Sequence, residues 1–247
     1  MIFYFSGVGN SAWVAERLAR TLDDRLIKIA EYSGERYEAR PGERVGFVFP
    51  VYCWAPPAIV LDFIKRVILD APSYLYFVCT CGDDTGKTSE VFEKAVRKRG
   101  WHCNAGYSVI MPNTYVALPG FDTDGAELER IKIENAKGRV EYIGEQILKG
   151  VDMIDCSVAS AAFLKTYIIC PLFNRFQIDT RPFHTTDDCS SCGLCARKCP
   201  VHNISIQDGR PNWGDRCTQC LACYHACPTN AIRYGKSTEG KRQYKGL

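Results

Sequence analysis

The sequence predicts an α/β protein, with a doubly wound parallel sheet of five strands over residues 1–150 and a small, differently composed domain over residues 181–235. Three observations lead there. Short runs rich in Val, Ile, Phe and Tyr alternate with amphipathic stretches through the first 150 residues, the pattern of a parallel sheet covered on both faces. From Thr180 onward the composition turns to Cys, Pro, Gly and Asp with few periodic apolar positions, so this part needs an organiser other than a large core. A chain of 247 residues, 46% of them apolar, has room for one ordinary core and an appended module.

The strand candidates are Ile2 to Phe5, Leu26 to Ala30, Val45 to Tyr52, Leu75 to Thr80 and Tyr107 to Met111, each bounded by Gly, Pro, Asp or charged residues. Between them, Val14, Leu18 and Leu22 recur four apart, as a helix burying one face requires, and Leu61, Ile64 and Ile68 repeat the pattern. Val91 and Ala95 give a third helix that stops at Gly100. Leu128, Ile131, Val140, Ile143 and Ile147 give a long fourth that ends at Gly150. Residues 151–180 read as a connector: Ser157 to Leu164 is helix-compatible, and Pro171 and Asn174 break any continuation. Residues 236–247 read as a frayed tail.

Fourteen cysteines would suggest disulfides in a short secreted chain, but eight fall within 39 residues at metal-ligand spacings and no basic n-region precedes Met1. A reducing compartment, the cytoplasm, is expected. The apolar stretch from Val158 to Phe176 is interrupted by Lys165, Pro171, Asn174 and Arg175, so no run approaches the ~20 residues that span a bilayer. Cys53, Cys79, Cys81, Cys103, Cys156 and Cys170 are scattered through the first 180 residues and read as small, mostly buried apolar groups. The formal charge of +3 does not indicate nucleic acid. Residues 181–247 hold ten Lys or Arg against five Asp or Glu, and two bound clusters of about −2 each would bring that +5 to about +1.

Cys189, Cys192, Cys195 and Cys199-Pro200 form one Cys-x2-Cys-x2-Cys-x3-Cys-Pro run, and Cys217, Cys220, Cys223 and Cys227-Pro228 form a second. Laying Cys189 to Ile206 on Cys217 to Tyr234 shows an internal repeat. Structural zinc takes four ligands in two separated pairs. Two triplets, each with a trailing Cys-Pro, are instead the spacing of 4Fe-4S ligation, in which the trailing cysteine serves the other cluster. One cluster is thus expected on Cys189, Cys192, Cys195 and Cys227, and the other on Cys217, Cys220, Cys223 and Cys199. His202 and His225 are not needed as ligands and read as solvated or locally hydrogen-bonded. These residues resemble the two-cluster bacterial ferredoxins, which implies a small α+β domain.

Ser6, Gly7, Val8, Gly9, Asn10 and Ser11 join the first strand to the first helix. Glycines permit close backbone approach, the two serines can donate, and the helix N-terminus supplies free N–H groups, so an anion site is expected. No Gly-Lys-Ser/Thr ends the loop, and it lacks the spacing of a dinucleotide fingerprint. The loop resembles the FMN-phosphate loop of flavodoxins, with Val8 standing where that family has a hydroxyl. That resemblance implies FMN and two ring loops. The first is Pro50, Val51, Tyr52, Cys53, Trp54, Ala55, with Trp54 favoured over Tyr52 for stacking. The second is Thr80, Cys81, Gly82, Asp83, in which Gly82 would allow backbone contact with the ring edge, while the pair Asp83 and Asp84 also reads as merely solvated. Ordinary packing of Tyr52 and Trp54 is the plainer alternative.

Together the two halves resemble flavodoxin-ferredoxin fusions, which implies an electron carrier linking FMN, two clusters and a partner redox enzyme. No nicotinamide domain, nucleic-acid surface or membrane span is expected. The alternative is a reductase of a small organic substrate, for which Met111, Pro112, Asn113, Thr114 and Tyr115 form a polar loop at the carboxyl end of the fifth strand. No acid–base pair stands out for such catalysis.

Overall fold

The computed structural model describes residues 1–38, 42–70, 72–176 and 178–246. Six parallel strands form the central sheet: β1 (Ile2–Tyr4), β2 (Leu26–Lys28), β3 (Arg44–Pro50), β4 (Tyr74–Cys81), β5 (Ala105–Ile110) and β6 (Met153–Asp155), in the order β2-β1-β3-β4-β5-β6. The first five follow one of the two common doubly wound orders, whose switch point lies between β1 and β3.

Alternation along each strand divides the core in two. Phe3, Phe47, Phe49 and Phe77 point to one face, where Phe63 of α2 (Ala58–Arg66) and Phe92 of α3 (Thr88–Arg97) cover them. Val48, Tyr76, Val78 and Tyr107 point to the other. There α1 (Asn10–Leu22) sets down Val14, Leu18 and Leu22, and α4 (Ala126–Leu148) adds Val140, Ile143 and Ile147. Burial on both faces is why β3 and β4 are nearly continuous apolar runs. Of the rows expected from the four-residue spacing, Val14, Leu18, Leu22 and Val140, Ile143, Ile147 are the ones that pack, whereas Leu128 and Ile131 at the start of α4 stay 46% and 43% exposed.

Several boundaries differ from the sequence reading. The sheet has six strands, not five: Met153–Asp155 pairs with Ala105 to Tyr107 inside the segment read as connector. Three edge residues are too few to show a period. Tertiary contacts hold them instead, with Arg139 Nη1 at 2.7 Å from Asp155 Oδ2 and Arg139 Nε donating to Ser108 O at 3.0 Å. β2 stops at Lys28 because Ile29–Glu31 turns as a 3-10 helix. β3 ends at Pro50, before a tight turn at Tyr52. Ile68 lies not on α2 but in a two-residue strand, Ile68–Leu69, paired with Arg36–Tyr37.

The connector is one helical run over 162–176, with a π-helical turn at Lys165–Ile169 between α-helical ends. Pro171 was expected to break it. The wide π turn has already interrupted the usual hydrogen-bond ladder, so Pro171 falls in the first turn of the following segment, where its missing N–H is not needed.

In the C-terminal domain, β7 (Phe183–Thr185) pairs antiparallel with β10 (Ile232–Tyr234), and β8 (Ile204–Gln207) with β9 (Arg210–Trp213). Helices α5 (Leu194–Lys198) and α6 (Ala222–Ala226) complete the α+β unit. The sequence repeat is a structural repeat. Gly193 and Leu221 begin the two helices in the left-handed region, Cys199 and Cys227 end them, and His202 and Asn230 follow with φ of 49° each.

The tail does not fray over its described residues, 236–246, Leu247 lying outside them. Lys241 Nζ donates to Val116 O and Leu118 O at 2.8 Å each, and Gln243 Nε2 donates to Cys227 O at 2.7 Å. Tyr244, 2% exposed, donates its hydroxyl to Asn10 Oδ1 at 2.7 Å. Scattered polar residues carry no periodicity, which is why the sequence did not announce this packing. Tyr244→Phe should lower stability by about 1–2 kcal/mol, because it leaves a buried acceptor on Asn10 unpaired. A thermal midpoint equal to that of the wild-type protein would show that the tail is not anchored there.

Candidate functional site

At the carboxyl ends of β1, β3, β4 and β5, where ligands of open α/β sheets bind, lies a cavity of about 910 Å³. Its wall includes Ser6, Gly7, Val8, Asn10 and Ser11 from the first loop and Pro50 to Trp54 from the second. Thr80 to Asp84 come from the third, and Met111 to Tyr115 from the fourth. Thus the structure brings together nearly all of the expected ring and phosphate residues. Gly9 and Ala55 are the exceptions and do not line the cavity.

Each has a backbone role instead. Gly9 caps α1 with φ 110°, a region that side-chain-bearing residues rarely enter. Ala55 closes a tight turn with Tyr52, their backbones exchanging hydrogen bonds of 3.0 and 3.2 Å. Cys53 and Trp54 at its centre have φ of 48° and 59°. Two non-glycine residues in the left-handed region mark the kind of strain that gathers at functional loops.

The loop expected to hold a phosphate is built on backbone more than on side chains. Trp13 N is the first to bond within α1, to Gly9 O, so Asn10, Ser11 and Ala12 have N–H groups with no acceptor in the helix. Ser6 Oγ accepts from Gly9 N at 3.2 Å and still has its own proton to donate. Ser11 Oγ shares a hydrogen bond of 2.8 Å with Thr80 Oγ1. The Asn10 side chain is committed on both ends, to Tyr244 and, through Nδ2, to Pro112 O at 3.1 Å. With an aimed set of N–H groups and the helix dipole behind them, these residues fit a phosphate.

Trp54 and Tyr52 are held differently. Trp54 Nε1 donates to Asp84 Oδ2 at 3.2 Å, and Lys165 Nζ sits 5.3 Å over the indole while pairing with the same carboxylate at 3.0 Å. Asp84, read as a solvated residue, instead holds Trp54 and Lys165 together. Tyr52 packs edge-on to Phe5, and burial, with Cys220 and Cys217 beside it, pushes its hydroxyl well above the ordinary range. Burial and the nearby Asp84 push the Cys81 thiol up to about 12. Asn113, held by Asp124 through Nδ2 at 3.0 Å, lies directly over Gly82. Burial opposes the charge on Asp124, but Lys132 and Asn113 outweigh it and hold the carboxyl below its usual range.

The cysteines fall into two groups. Cys189, Cys192, Cys195 and Cys227 line one small cavity between α5 and the Cys-Pro of the second run. Cys199 stands instead with Cys217, Cys220 and Cys223, close enough to raise the thiols of all three beyond what burial does. The structure thus brings together the two crossed sets read from the spacing. Backbone N–H groups point at the trailing sulfurs: Asn203 N lies 3.2 Å from Cys199 Sγ, and Ala231 N 3.2 Å from Cys227 Sγ. Trp213 Nε1 and Thr218 Oγ1 are buried without an acceptor of ordinary geometry, Trp213 beside Cys223 and Thr218 beside Cys220. Among the described residues no three His, Cys, Asp or Glu converge closely enough for a single metal ion. Four thiols around a cavity, with donors aimed at sulfur, fit a cube of irons and sulfides, whose acceptors would satisfy those orphaned groups.

The two halves of the site meet at Gly7. A Cβ on Gly7 would stand 2.6 Å from Cys220 Cβ, 2.8 Å from Tyr52 Oη and 3.2 Å from Cys220 O. Cys217 and Cys220 line the same cavity as the phosphate loop. Val116 and Ala117, from the loop beyond Tyr115, are buried in the core of the cysteine-rich domain. His225, expected to be solvated or locally bonded, ties the halves at long range. Burial lowers its pKa to about 4, its Nδ1 accepts from Tyr244 N at 3.0 Å, and the protonated Nε2 donates to Thr114 O at 2.8 Å.

A flavin-type crevice at the switch point, walled by cysteines of a repeated cluster-binding unit, defines a class of two-module redox proteins. The family comparisons agree: a flavodoxin-domain family matches residues 1–115, and a 4Fe-4S dicluster-domain family matches residues 188–232. The chain therefore carries an N-terminal flavodoxin domain and a C-terminal ferredoxin of the dicluster kind. No curated protein matches the chain. Among solved structures, it is similar to the Trp repressor binding protein from Bacillus subtilis, at 17% identity and a TM-score of 0.30, over 45% of this chain and 83% of that one. At that score the likeness adds nothing to the fold described above.

Gly7→Val should destabilise the protein by about 1–3 kcal/mol, because the added atoms overlap the Cβ of Cys220 and the Tyr52 hydroxyl. An unchanged thermal midpoint would mean that the two domains do not press together at this point.

Proposed function

We propose that the protein relays electrons within one chain, between an FMN in the switch-point crevice and two 4Fe-4S clusters, and exchanges them with a partner redox protein. The flavodoxin and dicluster domains support an electron-transfer role. The observation that carries the intramolecular relay is the shared wall, in which Cys217 and Cys220 line the same cavity as the phosphate and ring loops. When bound, a flavin accepts two electrons and releases them singly, whereas each cluster carries one.

The residues divide the work. Asn10, Ser11 and Ala12 present backbone N–H groups to the phosphate, with the Ser6 hydroxyl beside them. Trp54, fixed by Asp84, offers a face to the ring, and Gly82 lets backbone approach its edge. Cys189, Cys192, Cys195 and Cys227 hold the outer cluster, and Cys217, Cys220, Cys223 and Cys199 the one against the crevice. Partner docking is assigned to the face near the outer cluster, where Cys192 is exposed. Among the described residues no helix is long and apolar enough to cross a membrane. A reducing compartment, the cytoplasm, suits a chain whose fourteen cysteines are all free.

One observation favours a second reading, reduction of a small organic substrate. Met111 to Tyr115 line the cavity, and Tyr115 meets Phe121 and Phe173 edge-on at 5.8 and 5.9 Å, an aromatic wall beyond what a phosphate or ring edge requires. Saturable turnover of a small acceptor without any partner protein would favour it over the relay.

Anaerobically purified protein should contain about eight irons and eight acid-labile sulfides per chain. Stoichiometric zinc in their place would overturn the cluster assignment. In Cys199→Ser, reduced-state EPR should show damage to the cluster of Cys217, Cys220 and Cys223. Loss of the other signal alone would sink the crossed ligation. Gly9→Asp should weaken FMN binding about tenfold more than Gly9→Ala, since both strain the φ 110° position and only the first repels a phosphate. Equal dissociation constants for the two variants, by fluorescence titration, would place the phosphate elsewhere.

A further inference from the structure

The connector helix has its polarity inside out. Ala162, Thr166 and Cys170, small or polar, are the residues it buries. Thr166 Oγ1 donates to Trp54 O at 2.9 Å and accepts from Lys87 N at 2.9 Å, and Lys165 reaches in to Asp84. On the outer side Leu164, Ile168, Leu172 and Phe176 recur every four residues, each 47–65% exposed, flanked by Phe163 and Tyr167. A surface helix normally does the reverse.

We propose that this stripe is the interface of a homodimer, in which the connector helix packs on its own copy about a two-fold axis. Among the described residues, nine of the eighteen large apolar side chains left exposed lie between Val158 and Ile178. The six on the stripe and its flanks, at about half exposure each, leave on the order of 600 Å² of apolar surface. That is the area one partner contributes at the lower end of the standard protein interface, and the upper end of an ordinary monomer's largest patch.

The shape and charge favour a second copy. Rows of residues four apart are the ridges that interdigitate when two helices cross, and a row without charges is complementary to itself. Around the stripe the charges are paired: Lys165 with Asp84 at 3.0 Å, Lys87 with Glu90 at 2.7 Å and Arg181 with Asp179 at 2.8 Å. A helix that lies on an anionic lipid surface carries an excess of Lys and Arg on its polar face. Here Arg175 is the one cation of the helix beyond Lys165, and its guanidinium lies 5.5 Å over the Phe176 ring.

The dimer would also bear on the crevice. Ile169, Phe173 and Ile178 belong to this segment and line the cavity, so a copy seated on the stripe flanks the cavity mouth. The inference itself stands on the helix and does not require FMN or clusters to be bound.

Sedimentation velocity on the anaerobically purified full chain decides the matter. At about 50 μM, above the micromolar constants of weak interfaces of this size, the wild-type protein should run at twice 27.8 kDa. Ile168→Glu should run as a monomer with unchanged iron content and far-UV circular dichroism. If that variant does not fold, the milder pair Leu164→Gln and Leu172→Gln takes its place, with the same expected loss of the dimer. A monomeric wild-type chain, a dimer unaffected by these substitutions, or a monomer that instead sediments with vesicles of phosphatidylcholine and phosphatidylserine would each overturn the proposal.

Discussion

The rest of the site depends on one close approach, the Cβ and carbonyl oxygen of Cys220 against Gly7. At this point the second cysteine run and the loop between β1 and α1 come closer than any side chain on Gly7 would permit. The loop must be glycine for two separate reasons at two positions. Gly9 is needed for its backbone angle at the start of α1, with nothing near it. Gly7 is needed because the neighbouring domain occupies the space of its Cβ. A pattern that looks like flexibility for a ligand is at Gly7 a requirement of the protein's own packing.

Around that contact, polar groups do what a large apolar interface would otherwise do. Asn10 bonds through one end to Pro112 and through the other to Tyr244. His225 joins Tyr244 to Thr114, and Lys241 takes two carbonyls of the loop at Val116 and Leu118. These partners come from the first loop, the fourth loop, α6 and the tail. Buried polar groups are costly unless paired, so each of these bonds specifies one arrangement and penalises a displaced one. The phosphate loop and the helix between Cys220 and Cys227 are thereby held in fixed relation.

The connector obeys a different balance. Its inner face is tied by Thr166 and Lys165 to the turn that carries Trp54, so its place is set by hydrogen bonds and an ion pair. Its outer face keeps the apolar side chains that a folded chain ordinarily buries. Polar anchoring beside the ring loop and apolar display outward are two consequences of one helix orientation, and Asp84 connects them by holding both Lys165 and Trp54.

What the sequence determined by itself was whatever repeats or recurs at short range. The three- and four-residue spacings of the cysteines specify cluster ligation, the apolar rows at Val14, Leu18, Leu22 and Val140, Ile143, Ile147 specify helices, and continuous Val and Phe runs specify strands buried on both faces. The same spacings led to the expectation of a crossed grouping for Cys199 and Cys227, and Cys199 does lie beside Cys217, Cys220 and Cys223. The tertiary structure decided the rest. The sixth strand is three residues long and is held by Arg139. Asp84, Asn113, Tyr244 and His225 act through partners from 11 to more than 200 residues away, and the polarity of the connector depends on which side the sheet lies. None of these has a period to read, since each is set by a contact that exists only once distant segments have met.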